Sequence, residues 1–183
     1  MDTGLIRVPL TELRTNDEQT IGTEYTEGGK TYRWVKNIGD TALVAAGCCL
    51  QPGSSKAEAF NKYVVAPDAA TAKSAIRTMA AGSPMAAIIA SGGASSNCFG
   101  WVQVKGPKRV TVMFSTLALI PGMLVIPSSG NIGTALTGKI AAWHLPGATA
   151  VDANAKFARV MHKVAANSAS YGLDSCMCEI CCA

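Results

Sequence analysis

Two short tracts constrain this chain more than any other part of it: NCFGWVQVKG at Asn97–Gly106 and TEYTEGGKTYRWV at Thr23–Val35. In the first, Trp101, Gln103 and Lys105 alternate with Val102 and Val104. A period of two puts these sets on opposite faces of a β-strand. In the second, Gly28-Gly29 separates two alternating runs, and glycine readily takes the positive φ that a tight hairpin turn requires. This tract predicts paired strands at Thr23–Glu27 and Lys30–Lys36. Neither tract contains a catalytic group, so the best-marked parts of the sequence specify a β scaffold and not a reaction.

The remaining chain carries the same signature more faintly. Short apolar runs predict strands at Leu43–Leu50, Met85–Ala90, Phe99–Lys105, Arg109–Phe114, Met123–Ile126, Ile140–Leu145 and Phe157–Val164. Turn residues separate them, among them Gly106-Pro107, Pro121-Gly122, Ser128–Asn131 and Pro146-Gly147. Lys56–Met79 is ambiguous: Ala57, Phe60, Tyr63 and Val64 fit a helical stripe, while Tyr63-Val64-Val65 fits a strand. An alanine-rich run predicts one short helix over 69–80, stopped by Gly82-Ser83-Pro84. The expected class is mainly β, a small β-barrel or β-sandwich with that one helix. Its expected parts are an extended N-terminal arm at 1–20, a β-rich core at 21–164 and a Cys-rich C-terminal tail at 165–183.

The two tracts together resemble a family of tailed-phage head proteins, the capsid decoration or cement proteins. The resemblance rests on Gly22, Tyr25, Gly28, Gly29, Lys30, Tyr32, Arg33, Val35 and Asn37, and on Phe99–Val104 with Gly106. It spans about residues 20 to 165; the arm and the tail have no counterpart in it. It implies a β-rich structural protein that binds the outer surface of an icosahedral shell and stabilises it. The implied partners are the major capsid protein and other copies of this chain, as a trimer. The implied location is the virion, after synthesis in a host cytoplasm.

Composition fits an assembly role. Of 183 residues, 49% are hydrophobic but only 6% aromatic, and alanine buries little area per residue. A thin core gains stability from partner subunits. The formal net charge of +4 is too mild to argue for nucleic acid. The densest basic cluster, Lys105, Lys108 and Arg109 around Pro107, reads as a solvated turn or as a positive rim facing an acidic shell. Residues 1–20 carry Asp2, Glu12, Asp17 and Glu18 and lack the apolar core of a secretory leader. Val110–Pro127, the one stretch apolar enough to suggest a membrane, is broken by Pro121-Gly122 and reads as two strands and a turn. In the arm, Leu5, Ile6, Val8, Leu10 and Leu13 are candidate contacts that either pack on the domain edge or reach a neighbouring subunit.

Reactive groups are few. Cys176, Cys178, Cys181 and Cys182 place four thiols within seven residues, and Cys48-Cys49 and Cys98 complete the seven cysteines. The cluster reads as disulfides within the tail or between subunits, as a soft-metal site, or as thiols with no role. In a strand, Cys48 and Cys49 face opposite ways, so one is a core thiol. Gly133–Lys139 approximates a phosphate-binding loop, but Ile140 stands where Ser or Thr should hold magnesium, and a strand follows in place of a helix. His144 and His162 lie in no nucleophile motif. Trp34, Trp101 and Trp143 read as strand core, with interface or sugar stacking as the functional alternative. The expectation is a non-enzyme without a catalytic site, metal or cofactor, binding neither nucleic acid nor membrane. The alternative is a virion-borne β module that binds carbohydrate or a host surface.

Overall fold

A computed structural model of the protein describes residues 6–39, 42–51, 62–64, 80–88, 96–114, 118–127, 141–143, 158–163 and 172–182. It is mainly β, and no helix occurs among the described residues. The strands of the described residues are β1 (Glu24–Glu27), β2 (Lys30–Asn37), β3 (Cys49–Leu50), β4 (Tyr63–Val64), β5 (Ala80–Pro84), β6 (Phe99–Phe114), β7 (Leu124–Pro127), β8 (Ala141–Trp143), β9 (Ala158–Val160) and β10 (Gly172–Cys181). Hydrogen bonds link them in the order β1-β2-β6-β10-β9-β7-β8, with β3 on β5, β5 on β6 and β4 on β2. Strand β8 also meets β6 in a short parallel contact, Val112↔Ala141 and Met113↔Ala142. β1 ends the strand order, so the network keeps an open edge.

β6 organises the sheet. Its first half pairs with β2, setting Trp34 opposite Trp101 and Val35 opposite Gly100. Its second half pairs with β10 over the whole length of that strand, from Gly172↔Phe114 to Cys181↔Lys105. The sequence suggests two strands broken by a turn at Gly106-Pro107; the structure has one strand of 16 residues passing through them. Gly106 adopts φ +95°, and the Gln103 side-chain amide donates to the carbonyls of Lys105, Gly106 and Pro107 at 3.1, 3.0 and 3.2 Å. Gln103 is itself buried. The local irregularity is therefore satisfied from within the strand, and pairing resumes beyond it.

Other boundaries move for similar reasons. Of Leu43–Leu50, only Cys49–Leu50 is a strand; Leu43 is held by its N–H to the Ile88 carbonyl at 2.8 Å. The strand expected at Met85–Ala90 lies earlier, at Ala80–Pro84, all of it buried. Gly82-Ser83-Pro84 thus belongs to a strand. Close approach explains the glycine: a Cβ on Gly82 would lie 2.8 Å from the Gln103 carbonyl oxygen. The predicted helix, apart from Ala80 in β5, lies outside the described residues. In the ambiguous region, Tyr63-Val64 is a strand parallel to β2.

The largest correction concerns the C-terminus. Residues 172–181 are not a tail: β10 is the longest partner of β6 and also pairs with β9. Alternation places Cys176, Cys178 and Ile180 in the core with Val110, Val112, Val125, Ala158 and Val160. Two further clusters complete the described interior. Val35, Leu43, Cys49, Val64, Ile88, Val102 and Val104 pack on one face of the β2–β6 ladder. Val8, Tyr32, Trp34, Phe99 and Trp101 pack together in the other cluster.

Candidate functional site

The N-terminal segment closes the tryptophan face. Trp34 and Trp101 meet edge to face at 5.4 Å between ring centroids, and Trp34 stacks on Phe99 at 6.4 Å. Both indole N–H groups donate into residues 6–22: Trp101 Nε1 to the Val8 carbonyl and Trp34 Nε1 to Asp17 Oδ1, each at 2.9 Å. Val8 is fully buried, and Ile6 and Leu10 pack beside it. Arg14 then forms a two-way backbone bridge with Phe99, and the chain passes to the opposite face. There Leu13 packs with the Val102 cluster; a Cβ on Gly100 would come within 2.8 Å of Leu13 Cδ2. Of the two alternatives for the arm contacts, the described ones pack on the domain itself. Leu5 lies outside the described residues.

The cysteines are all thiols. Cys48, Cys49, Cys98, Cys176 and Cys178 are buried, Cys182 is half-buried and Cys181 is exposed. The seven-residue cluster divides by strand alternation, with Cys176, Cys178 and Cys182 contacting core residues and Cys181 on the outer side. No group of three or more metal-ligating side chains occurs among the described residues. Burial pushes the Cys178 thiol well above its usual value, and neighbouring Cys176 adds to the effect.

A partly buried basic region lies near Cys49, and no motif announced it. Lys108 Nζ donates to the carbonyls of Ser83 and Pro84 at 2.9 and 2.7 Å, with Met85 Sδ at 3.5 Å. Burial pushes this amine down to about 7, against an opposing pull from Cys49 and with a further lowering by Lys30. Arg33 is buried; its Nε and Nη2 donate to Glu24 Oε1 at 2.9 and 2.6 Å, while the buried Nη1 has no hydrogen-bond partner among the described residues. The sequence alone suggests that Lys108 shares a solvated turn with Lys105 and Arg109. Those two are exposed, whereas Lys108 points inward. The available signal was parity: Lys108 shares the even register of Val102, Val104, Val110 and Val112 once the strand is taken as unbroken.

Lys108 makes stability pH-dependent with a definite sign. The folded amine loses its proton near pH 7, whereas the unfolded one keeps it to about 10.5. Between these values the unfolded chain binds more protons, so stability rises with pH and is lost as pH falls towards 7. Cys48, Cys49, Cys178 and Cys182 are held above their ordinary 9.0, which makes stability fall as pH rises through 9. Between pH 7 and 8, before the thiols of the unfolded chain ionise, urea midpoints should rise by the equivalent of about 1 kcal/mol. Lys108→Met should flatten that rise.

Among the other expected residues, Trp34 and Trp101 are core, which removes them as exposed stacking platforms. Trp143 lies in β8. His162 is exposed. The phosphate-loop-like stretch 133–139 and His144 lie outside the described residues. No helix of the described residues is long and apolar enough to cross a membrane. Two large apolar side chains among the described residues are exposed, Ile120 and Met161. They lie at adjoining turns, joined where the Gly122 N–H donates to the Val160 carbonyl at 2.9 Å. No family model matches the chain, and no curated protein or solved structure matches it either.

Proposed function

We propose that this chain is a structural virion protein that binds the outer surface of an icosahedral capsid and stabilises it, without enzymatic activity. The observation that carries this reading is the pairing of the two tracts behind the family resemblance. Tyr32 lies opposite Gln103 and Trp34 opposite Trp101 in one ladder, so the tracts act as a single structural unit. Their glycines and aromatics serve packing: Gly106 lets the hairpin turn approach β6, and the tryptophans fill the core. In this reading the partners are the major capsid protein and further copies of the chain as a trimer. Attachment comes from several modest contacts made at once, each raising the effective concentration for the next. The apolar turns at Ile120 and Met161 leave area for such contacts. A carbohydrate-binding role draws less support, because Trp34 and Trp101 are buried.

Co-sedimentation tests the reading. Shells of the encoding virus, stripped of this chain, should carry it into the pellet and saturate at a fixed ratio to the major capsid protein. They should also withstand heating better once decorated. A chain that stays in the supernatant at micromolar concentration across the titration would overturn the proposal.

A further inference from the structure

We propose that Cys49 and Cys182 are a redox pair, which a low-molecular-weight disulfide oxidises to an intramolecular disulfide tying β3 to the end of β10. The fold brings these thiols to one core cluster from distant parts of the sequence. Cys49 belongs to the cluster containing Val102 and Val104. Cys182 packs against that same cluster, and its backbone N–H donates to the Val104 carbonyl at 3.1 Å. The two thiols also sense each other: an ionised Cys49 hinders ionisation of Cys182.

Their unequal exposure suits a two-step exchange. Cys182 is half-buried, which leaves it the more accessible to a small oxidant; Cys49 is fully buried and is reached only from within. The Cys182 thiolate attacks one sulfur of oxidised glutathione, forming a mixed disulfide and releasing one glutathione. The Cys49 thiolate then attacks the Cys182 sulfur and releases the second. Two protein S–H bonds are lost, one S–S bond forms, and the two electrons reduce oxidised glutathione to two thiols. The two protons pass to those thiols or to solvent.

The surroundings favour this chemistry over metal binding. Arg33 lowers the cost of ionising either thiol, and Lys108 does the same for Cys49, opposing the burial that raises both. A nearby cation stabilises the attacking thiolate. The Arg33 guanidinium repels a metal ion, whereas a disulfide is neutral. Cys48 packs in the neighbouring core cluster, which Cys182 also touches, and is the competing partner.

The test uses the full chain, reduced, cleared of reductant and incubated with oxidised glutathione. Remaining thiols are then alkylated and the digest is mapped by mass spectrometry. The expected product has lost two hydrogens, protects two thiols from alkylation, and shows by fragmentation a Cys49–Cys182 link. Cys182→Ser should abolish the link, and Cys48→Ser should retain it. The oxidised chain should melt several degrees higher than the reduced one. A link to Cys48 or between other cysteines, a stable glutathione adduct alone, or alkylation of every thiol would overturn the proposal. Because mapping on the native chain suffices, the result does not depend on a variant folding, nor on the capsid reading.

Discussion

Deleting residues 1–18 is expected to unfold the protein, not to release a dispensable arm. The deletion removes Val8, which is fully buried, together with Leu10 and Leu13 from two separate core clusters. Full burial of an aliphatic side chain such as Val8 contributes about 1.5–3 kcal/mol, and the half-buried Leu10 and Leu13 contribute less. It also removes the acceptors of both core indoles, the Val8 carbonyl and Asp17 Oδ1. A buried donor left without an acceptor costs about 1–3 kcal/mol. Some or most of that last cost returns as the exposed indoles meet water, but then the Trp34–Trp101–Phe99 cluster itself is wetted. The sum rivals the about 5–15 kcal/mol that holds a typical domain together. Thermal melts followed by circular dichroism should show either no cooperative transition or one lowered by more than about 10 °C. Asp17→Ala, which removes the acceptors of the Trp34 indole N–H and of the Ile21 backbone N–H, should shift the midpoint by a fraction of that. A truncated chain melting within a few degrees of the full one would show that the segment is an accessory after all. This outcome also bears on capsid attachment: loss of binding by such a truncation would report loss of the fold, not of a tether.

Gly106→Ala is expected to be the most damaging of the small substitutions. Gly106 stands where β6 changes partners, since Lys105 pairs with Thr31 on one side and with Cys181 on the other. Its φ of +95° is unfavourable for any residue with a Cβ, at about 1–2 kcal/mol. The added methyl would also lie 2.7 Å from the Gly29 carbonyl oxygen and 3.0 Å from Lys30 Cα. Both are backbone atoms, so relief requires moving the whole β1–β2 hairpin away from the strand. We expect a loss of about 3 kcal/mol or more, seen as a lower urea midpoint. Gly28→Ala supplies the comparison. Gly28 has φ +56°, but a methyl group added there would meet nothing within 4 Å, so the change should cost only about 1 kcal/mol. Equal losses at the two sites would mean that the hairpin turn does not rest on Gly106.

Much of the sheet was legible where alternation is uninterrupted. Trp101 and Val102 point to opposite faces, and the Gly28-Gly29 hairpin falls where the glycines put it. Legibility failed wherever a residue with turn character was absorbed by its neighbours. Gly106-Pro107 reads as a stop because neither residue favours a strand interior, yet the Gln103 amide satisfies the local carbonyls and the strand runs on. That misplaced break also hid Lys108, whose inward register depends on the strand being continuous. Gly82-Ser83-Pro84 has the composition of a loop, yet lies buried against β6 because a residue without a Cβ allows the approach. The cysteine-rich C-terminus looked like an appendage because clustered thiols suggest chemistry; there Cys176, Cys178 and Ile180 are simply the apolar half of an alternating strand.

By itself, the sequence determined the local geometry: mainly extended backbone, the hairpin, and the opposite facing of Trp101 and Val102, all of which follow from side-chain period and from glycine's tolerance of positive φ. Only the tertiary structure decided which segments cover those faces. The N-terminal segment caps the tryptophans, β10 takes the second half of β6, and Lys108 is driven inside with its amine on the Ser83 and Pro84 carbonyls. Those choices rest on contacts between residues far apart in the chain, where burial of apolar area and satisfaction of buried polar groups outweigh local preference.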